Sequence, residues 1–118
     1  MRFEDLTIRQ EWRKLNNELW KIFYNKDFKN YSFQDQIMRA SISVTNNIAE
    51  GFERSSMKEK IQFLYYAKWS IGEVRSMLYL GCDFWYITKE QEENFIKSCI
   101  SLSVKIHNYI SSIKPKST

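Results

Sequence analysis

The sequence predicts an all-α protein, an antiparallel up-down-up-down four-helix bundle. Three observations carry that prediction. Apolar residues recur at spacings of three and four through four stretches, about 7–24, 33–52, 57–81 and 89–113. The segments between them are only a few residues long, which makes neighbouring helices antiparallel. One Pro and three Gly in 118 residues are too few for the many turns of a sandwich or barrel. A hydrophobic content of 43% with 16% aromatics excludes disorder. A chain of this length closes one core without staples, and no repeat or flexible linker divides it, so one domain over 1–118 is expected.

The first helix, Thr7 to Tyr24, takes its core stripe from Ile8, Trp12, Leu15, Leu19 and Ile22. Ser32 is placed to cap the second, whose stripe is Ile37, Ser41, Val44 and Ile48, flanked by Met38, Ile42, Ala49 and Phe52. Gly51, near its end, reads as its C-terminal stop, unless Phe52 to Arg54 extend the helix by a turn. Ser56-Met-Lys-Glu59 has the form of a capping box for a third helix, lined by Leu64, Ala67, Ile71, Val74 and Leu78 and stopped by Gly81. Trp85 and Tyr86 are expected to pack back on the bundle. Thr88-Lys-Glu-Gln91 repeats the capping-box pattern before a fourth helix lined by Phe95, Cys99, Leu102, Ile106, Tyr109 and Ile113 and closed by Pro115.

The net charge is +4, a mild bias toward polyanions. Bases are intermingled with acids except at Lys26 and Lys29, from Arg54 to Lys60, and at Lys114 and Lys116. Cys82 and Cys99 sit inside apolar patterns, and one histidine cannot complete a zinc quartet, so reduced thiols and no metal or cofactor are expected. No apolar run approaches the ~20 residues of a membrane span, and the opening Met1-Arg2-Phe3-Glu4 is charged, so a cytoplasmic location without membrane contact is expected.

Catalysis finds no footing. His107 has no partner in the local sequence, and there is no Gly-rich phosphate loop, His-x-x-x-His pair or Gly-x-Ser-x-Gly elbow. Glu50 and Glu73 would form a carboxylate pair only if the second and third helices brought them face to face. The expected protein is therefore not an enzyme and has no catalytic residue.

The second helix carries a polar row. At about 100° per residue, Gln36, Arg39, Ser43, Asn47, Glu50 and Arg54 fall within roughly 80° of one another, opposite the apolar arc. Arg39 and Arg54 are forked donors suited to phosphate or carboxylate, and Gln36, Asn47 and Ser43 supply donors and acceptors. Glu50, four residues before Arg54, can instead close a salt-bridged structural network. The row thus supports two readings, a ligand site or a network that holds helices or subunits in register.

The third helix has more apolar surface than one stripe requires, because Tyr65, Tyr66, Trp69, Met77 and Leu80 lie off the core line. Tyr65, Tyr66 and Trp69 are the expected oligomer contacts. Ile96, Ile100 and Val104 stray similarly from the fourth helix's stripe.

At Gln36-Ile-Met-Arg39-Ala40, Ser43-Val-Thr-Asn46-Asn47-Ile48-Ala49-Glu50-Gly51 with Arg54, and Ser70-Ile-Gly-Glu73, the chain resembles the four-helix bundle proteins encoded in intervening sequences of bacterial large-subunit ribosomal RNA genes. Members are often labelled ribosomal proteins, a label that derives from gene position. The family is similar to the accessory bundle protein of diversity-generating retroelements, a barrel of five subunits with a basic surface that associates with nucleic acid and a reverse transcriptase. The resemblance implies a homo-oligomer, pentameric by that likeness, and RNA or DNA binding. Arg39 and Arg54 are then the first candidates for phosphate contact, with Lys58 and Lys60 accessory. The competing expectation is an oligomeric protein-interaction module whose network comprises Gln36, Ser43, Asn47, Glu50, Ser70 and Glu73. Where family members commonly carry two successive bases after Gln-Ile, this chain has Met38-Arg39. That departure implies weak, non-specific and salt-dependent affinity for nucleic acid.

Overall fold

The computed structural model describes residues 3–115, and side chains from Asp5 onward. The outer ends of the expected 1–118 domain, and Lys116 of the basic tail, lie outside the described residues. Four helices follow in order: α1 (Phe3–Phe23), α2 (Tyr31–Glu53), α3 (Met57–Asp83) and α4 (Lys89–Ile113). Each packs on its sequence neighbours, and α1 also packs on α4, so the four stand at the corners of a square in a rod of 53 × 22 × 22 Å.

Cross-helix contacts run in opposite directions along every adjacent pair. On α1 and α2, the Trp12 indole donates to Ser41 O at 3.3 Å and Thr45 Oγ1 at 3.1 Å, while Gln34 Nε2 reaches Phe23 O at the far end. On α2 and α3, Ser43 meets Ser70, and Lys60 Nζ donates to Phe52 O at 3.3 Å. On α3 and α4, Lys68 meets His107 at one end and Cys82 lies beside Glu92 at the other. The bundle is antiparallel throughout.

The core is one continuous apolar cluster from all four helices. All of the α2 and α3 stripe residues named from spacing are buried. On α1 the stripe ends at buried Phe23, with Ile22 only half-buried, because the step after Leu19 is four residues rather than three. α2 and α3 make the most extensive contact, and both present small buried residues there: Ala40 and Gly51 on α2, Ala67, Ser70 and Gly81 on α3.

Those glycines are spacers rather than stops. α2 runs past Gly51 to Glu53, and a Cβ on Gly51 would stand 2.8 Å from both Cγ and Cδ2 of fully buried Leu64. A Cβ on Gly81 would lie 3.1 Å from the Phe33 ring. α3 instead ends in a Schellman motif: Trp85 N–H donates to Cys82 O at 3.0 Å and Tyr86 N–H to Gly81 O at 2.8 Å. The left-handed position usually filled by glycine is occupied by Trp85, at φ 67°. Trp85 is 92% exposed and does not pack back on the bundle; Tyr86 does, edge-on to Phe28 and Phe33.

The helix starts divide similarly. The Thr88–Gln91 capping box is complete, with Gln91 N–H donating to Thr88 Oγ1 at 3.1 Å and Thr88 N–H to Gln91 Oε1 at 2.8 Å. At α3 only the Ser56 half forms, accepting from Glu59 N–H at 3.3 Å. The cap of α2 is Asn30, not Ser32, which lies inside the first turn. Asn30 Oδ1 accepts from Phe33 N–H at 3.0 Å, and its Nδ2 donates to Tyr86 OH at 2.9 Å, joining the α1–α2 connection to the α3–α4 connection.

Two substitutions test this geometry. Gly51→Ala should destabilise the fold by about 1–3 kcal/mol, since Leu64 has no room to yield. Trp85→Gly should stabilise it by about 1 kcal/mol by releasing the left-handed penalty at a side chain that buries almost nothing. Chemical denaturation checks both, and an unchanged midpoint in either variant would contradict the corresponding argument.

Candidate functional site

The polar row of α2 divides into three parts once α3 is beside it. At its centre, Ser43 Oγ lies 2.9 Å from Ser70 Oγ, and Asn47 Nδ2 donates to Ser43 O at 2.9 Å and Ser43 Oγ at 3.1 Å. Ser70 is buried, so this cluster fixes the side-to-side register of α2 and α3 where both backbones are close.

Toward the start of α2, Gln36, Arg39 and Ser43 face Glu73, Ser76 and Met77 across an open groove of about 520 Å³. Arg39 Nε pairs with Asp35 Oδ2 at 3.0 Å, and both side chains are largely exposed. Such a pair holds little stability and leaves most of the guanidinium available. Gln36 and Glu73 have no polar partner among the described residues. Toward the end of α2, Arg54 is engaged on three sides: its Nη2 is 2.5 Å from Glu50 Oε2, its Nη1 3.8 Å from Glu59 Oε2, and its guanidinium carbon lies 4.8 Å above the Phe63 ring. Arg54 therefore clamps the α2–α3 connection, and Lys60 is tied to Phe52 O. Lys58 is exposed.

Glu50 and Glu73 do not form a carboxylate pair. The antiparallel register sets Glu73 across from Arg39 and Ser43, whereas Glu50 lies at the Leu64 end of the same interface beside Gly51. The expected network of six residues is thus a connected Ser43–Asn47–Ser70 core, with Glu50 committed to Arg54 and with Gln36 and Glu73 lining the groove. Asp35, four residues before Arg39, was available from helical spacing. Glu59 and Phe63 reach Arg54 across a turn, which spacing within one helix could not reveal.

The third-helix aromatics also separate. Tyr65 is half-buried against the core with Lys68 Nζ 5.6 Å from its ring centroid, and Tyr66 is held by Gln62 at 2.6 Å and packs against Phe63 and Trp69. Trp69 is 64% exposed. Tyr79 and Leu80 of α3 and Ile100 and Val104 of α4 are also exposed, and Tyr79 and Ile100 meet in one groove between α3 and α4. Gly72 lies between Trp69 and Tyr79 along α3, and nothing stands within 4 Å of where its Cβ would be.

Burial pushes the Cys99 thiol up to about 12, which keeps it protonated and unreactive. Burial, and then the Glu92 carboxylate, raise Cys82. Lys89 Nζ is 2.6 Å from Glu92 Oε1, and this hydrogen bond holds the Glu92 carboxyl below its ordinary value and Lys89 above its own. His107 Nδ1 lies 3.1 Å from Lys68 Nζ. Among the described residues no group of three or more His, Cys, Asp or Glu is placed to hold a metal ion, and no helix is long and apolar enough to cross a membrane.

The profile of the 23S rRNA-intervening sequence protein family matches residues 4–108, which takes in the polar row, α2 and α3 entire and most of α1 and α4. The chain belongs to that family. A crystal structure from Bacteroides thetaiotaomicron, of a protein with unknown function from the S23 ribosomal protein family, superposes with a TM-score of 0.85 at 21% identity, covering 92% of this chain and 99% of that one. At that identity the likeness establishes the fold. A comparison with curated proteins found no match.

The Glu92–Lys89 pair makes a pH prediction. Because the folded carboxyl is depressed, its contribution to stability is present above the ordinary glutamate range and is lost as pH falls through the lower folded value. Glu92→Gln should lower the melting temperature at neutral pH, and the gap from wild type should close as the pH falls below the ordinary glutamate range. A gap that stays constant in thermal melts across that range would assign the effect to packing.

Proposed function

We propose that this family member is a non-enzymatic homo-oligomer that assembles through the α3/α4 face and holds RNA or DNA weakly by their phosphates. The observation that carries assembly is Gly72. A glycine in a helix interior costs roughly 1 kcal/mol relative to alanine, and nothing within the chain uses the space it leaves. A neighbouring subunit's backbone would use it, with Trp69, Tyr79, Ile100 and Val104 supplying apolar area around it. Five subunits are the number implied by the family's likeness to the retroelement barrel.

Phosphate contact rests on fewer groups than the basic residues of the motif suggest. Arg39 keeps an exposed guanidinium and Lys58 is open, whereas Arg54 and Lys60 are occupied within the chain. Few contacts and a net charge of +4 support binding that is sequence-independent and steeply reduced by salt. The three-sided engagement of Arg54 favours a second reading, an oligomeric interaction module without nucleic acid, in which the row serves only to fix α2 against α3.

Light scattering and RNA retention test these readings together. The unmodified protein should have a mass several times 14.3 kDa. Val104→Glu should reduce it to the monomer with helicity intact, and Arg39→Ala/Lys58→Ala should keep the mass but weaken RNA binding at ~50 mM salt, where electrostatic attraction is strong. A monomeric unmodified protein would end the assembly reading. An oligomer that retains neither RNA nor DNA would leave the interaction module.

A further inference from the structure

The side of the square formed by α1 and α2 lies opposite the α3/α4 face. It carries a groove of about 370 Å³ floored by Trp12 and walled by Arg9, Arg13, Asn16, Asn17 and Thr45. None of the residues lining this groove is acidic. The floor is closed to chemistry, because the Trp12 indole N–H is already donated to Ser41 and Thr45. The walls are not.

Arg39 and Arg54 of α2 each face a carboxylate; Arg9 and Arg13 of α1 face none among the described residues. Arg9 is half-buried with its guanidinium carbon 5.3 Å from the centroid of the Phe52 ring, and its Nε is buried without a hydrogen-bond acceptor. Arg13 and Asn17 are exposed and have no polar partner among the described residues. Asn16 Oδ1 accepts from Ser41 Oγ, which leaves its two amide hydrogens to donate into the groove.

Two aromatic residues continue the same side of α1. Trp20 and Tyr24 are stacked with ring centroids 4.0 Å apart and planes inclined by 21°, and they are 38% and 61% exposed. Arg9, Arg13, Asn16, Asn17, Trp20 and Tyr24 fall within about 100° of one another around α1 and span about 22 Å along it. Unpartnered arginines followed by an open stacked pair match the two needs of an unpaired strand: cations for its phosphates and ring faces for its bases. A duplex satisfies only the first, since its bases are already stacked.

We propose that the α1/α2 groove binds single-stranded nucleic acid, with Arg9 and Arg13 on successive phosphates, Asn16 and Asn17 on base or sugar edges, and the Trp20–Tyr24 stack receiving a base. This deepens the nucleic-acid reading above, on which it rests, and moves the principal contact from the α2 row to α1.

Anisotropy titrations of labelled oligo(rU), oligo(dT) and a DNA duplex at ~50 mM salt test it. Single strands should bind more tightly than duplex, and equal binding of the two single strands or a preference for RNA both support the groove. Arg9→Gln/Arg13→Gln should weaken binding at least about tenfold and reduce the salt slope by about 1.4, the share of two phosphates on a single strand. Trp20→Leu should cost about tenfold, and Trp20→Phe should restore most of it, because any flat ring offers a face for stacking. Each variant is checked by thermal melt and by mass; should Arg9→Gln unfold the chain, Arg13→Gln alone, at an exposed position, decides.

If the unmodified protein binds none of the three probes, this inference and the nucleic-acid reading fall together while assembly stands. If it binds single strands but only Arg39→Ala/Lys58→Ala weakens that binding, the groove alone is overturned. Tighter binding of duplex, or dissociation of the oligomer on Arg13→Gln or Trp20→Leu, also overturns it, the latter by assigning the groove to a neighbouring subunit.

Discussion

The close approach of α2 to α3 is the constraint from which the rest of the molecule follows. Gly51 lies against Leu64 with no room for a methyl group, and Gly81 against Phe33 with little more. Between these two contacts the register of the helices is set, and one-residue slips would drive a side chain into a backbone. That register brings Ser43 to Ser70, aims Arg54 over Phe63, and leaves Gln36, Arg39 and Glu73 around an open groove. The polar row is therefore partly a product of the packing beneath it.

Much of this was legible in the chain, and the reasons for the exceptions are physical. The four stripes follow from helical periodicity, which needs only one helix at a time to be read. The Thr88–Gln91 box was equally local. Gly51 and Gly81 are ambiguous in sequence because a glycine near a helix end looks the same whether it permits a left-handed turn or the approach of a neighbour. The true left-handed residue, Trp85, is one that sequence rules place there last. Asn30 was missed as a cap because its second hydrogen bond goes to Tyr86, 56 residues away, and that partner favours Asn30 over Ser32.

The site shows the same division. Its angular clustering on α2 could be computed from residue numbers, but which arginine was free could not. Arg39 and Arg54 are alike in sequence, each with an acid four residues before it. They differ because α3 supplies Glu59 and Phe63 to one of them. Conversely, Arg9 and Arg13 drew no notice beside Glu11 in a mixed-charge stretch. Folding turns Glu11 toward Lys105 on α4 and the arginines toward α2, separating charges that the sequence interleaves.

The bond from Asn30 to Tyr86 makes the two ends of the rod unequal. At one end the Asn30 amide and the Phe28 ring, both on Tyr86, fasten the α1–α2 loop to the α3–α4 loop; at the other, the covalent link between helices is the short α2–α3 turn. α1 and α4 share the least contact of any adjacent pair. The α1–α4 side is thus joined by no connection of its own and held by the least packing, with the fastened loops at one end and the start of α1 and finish of α4 at the other.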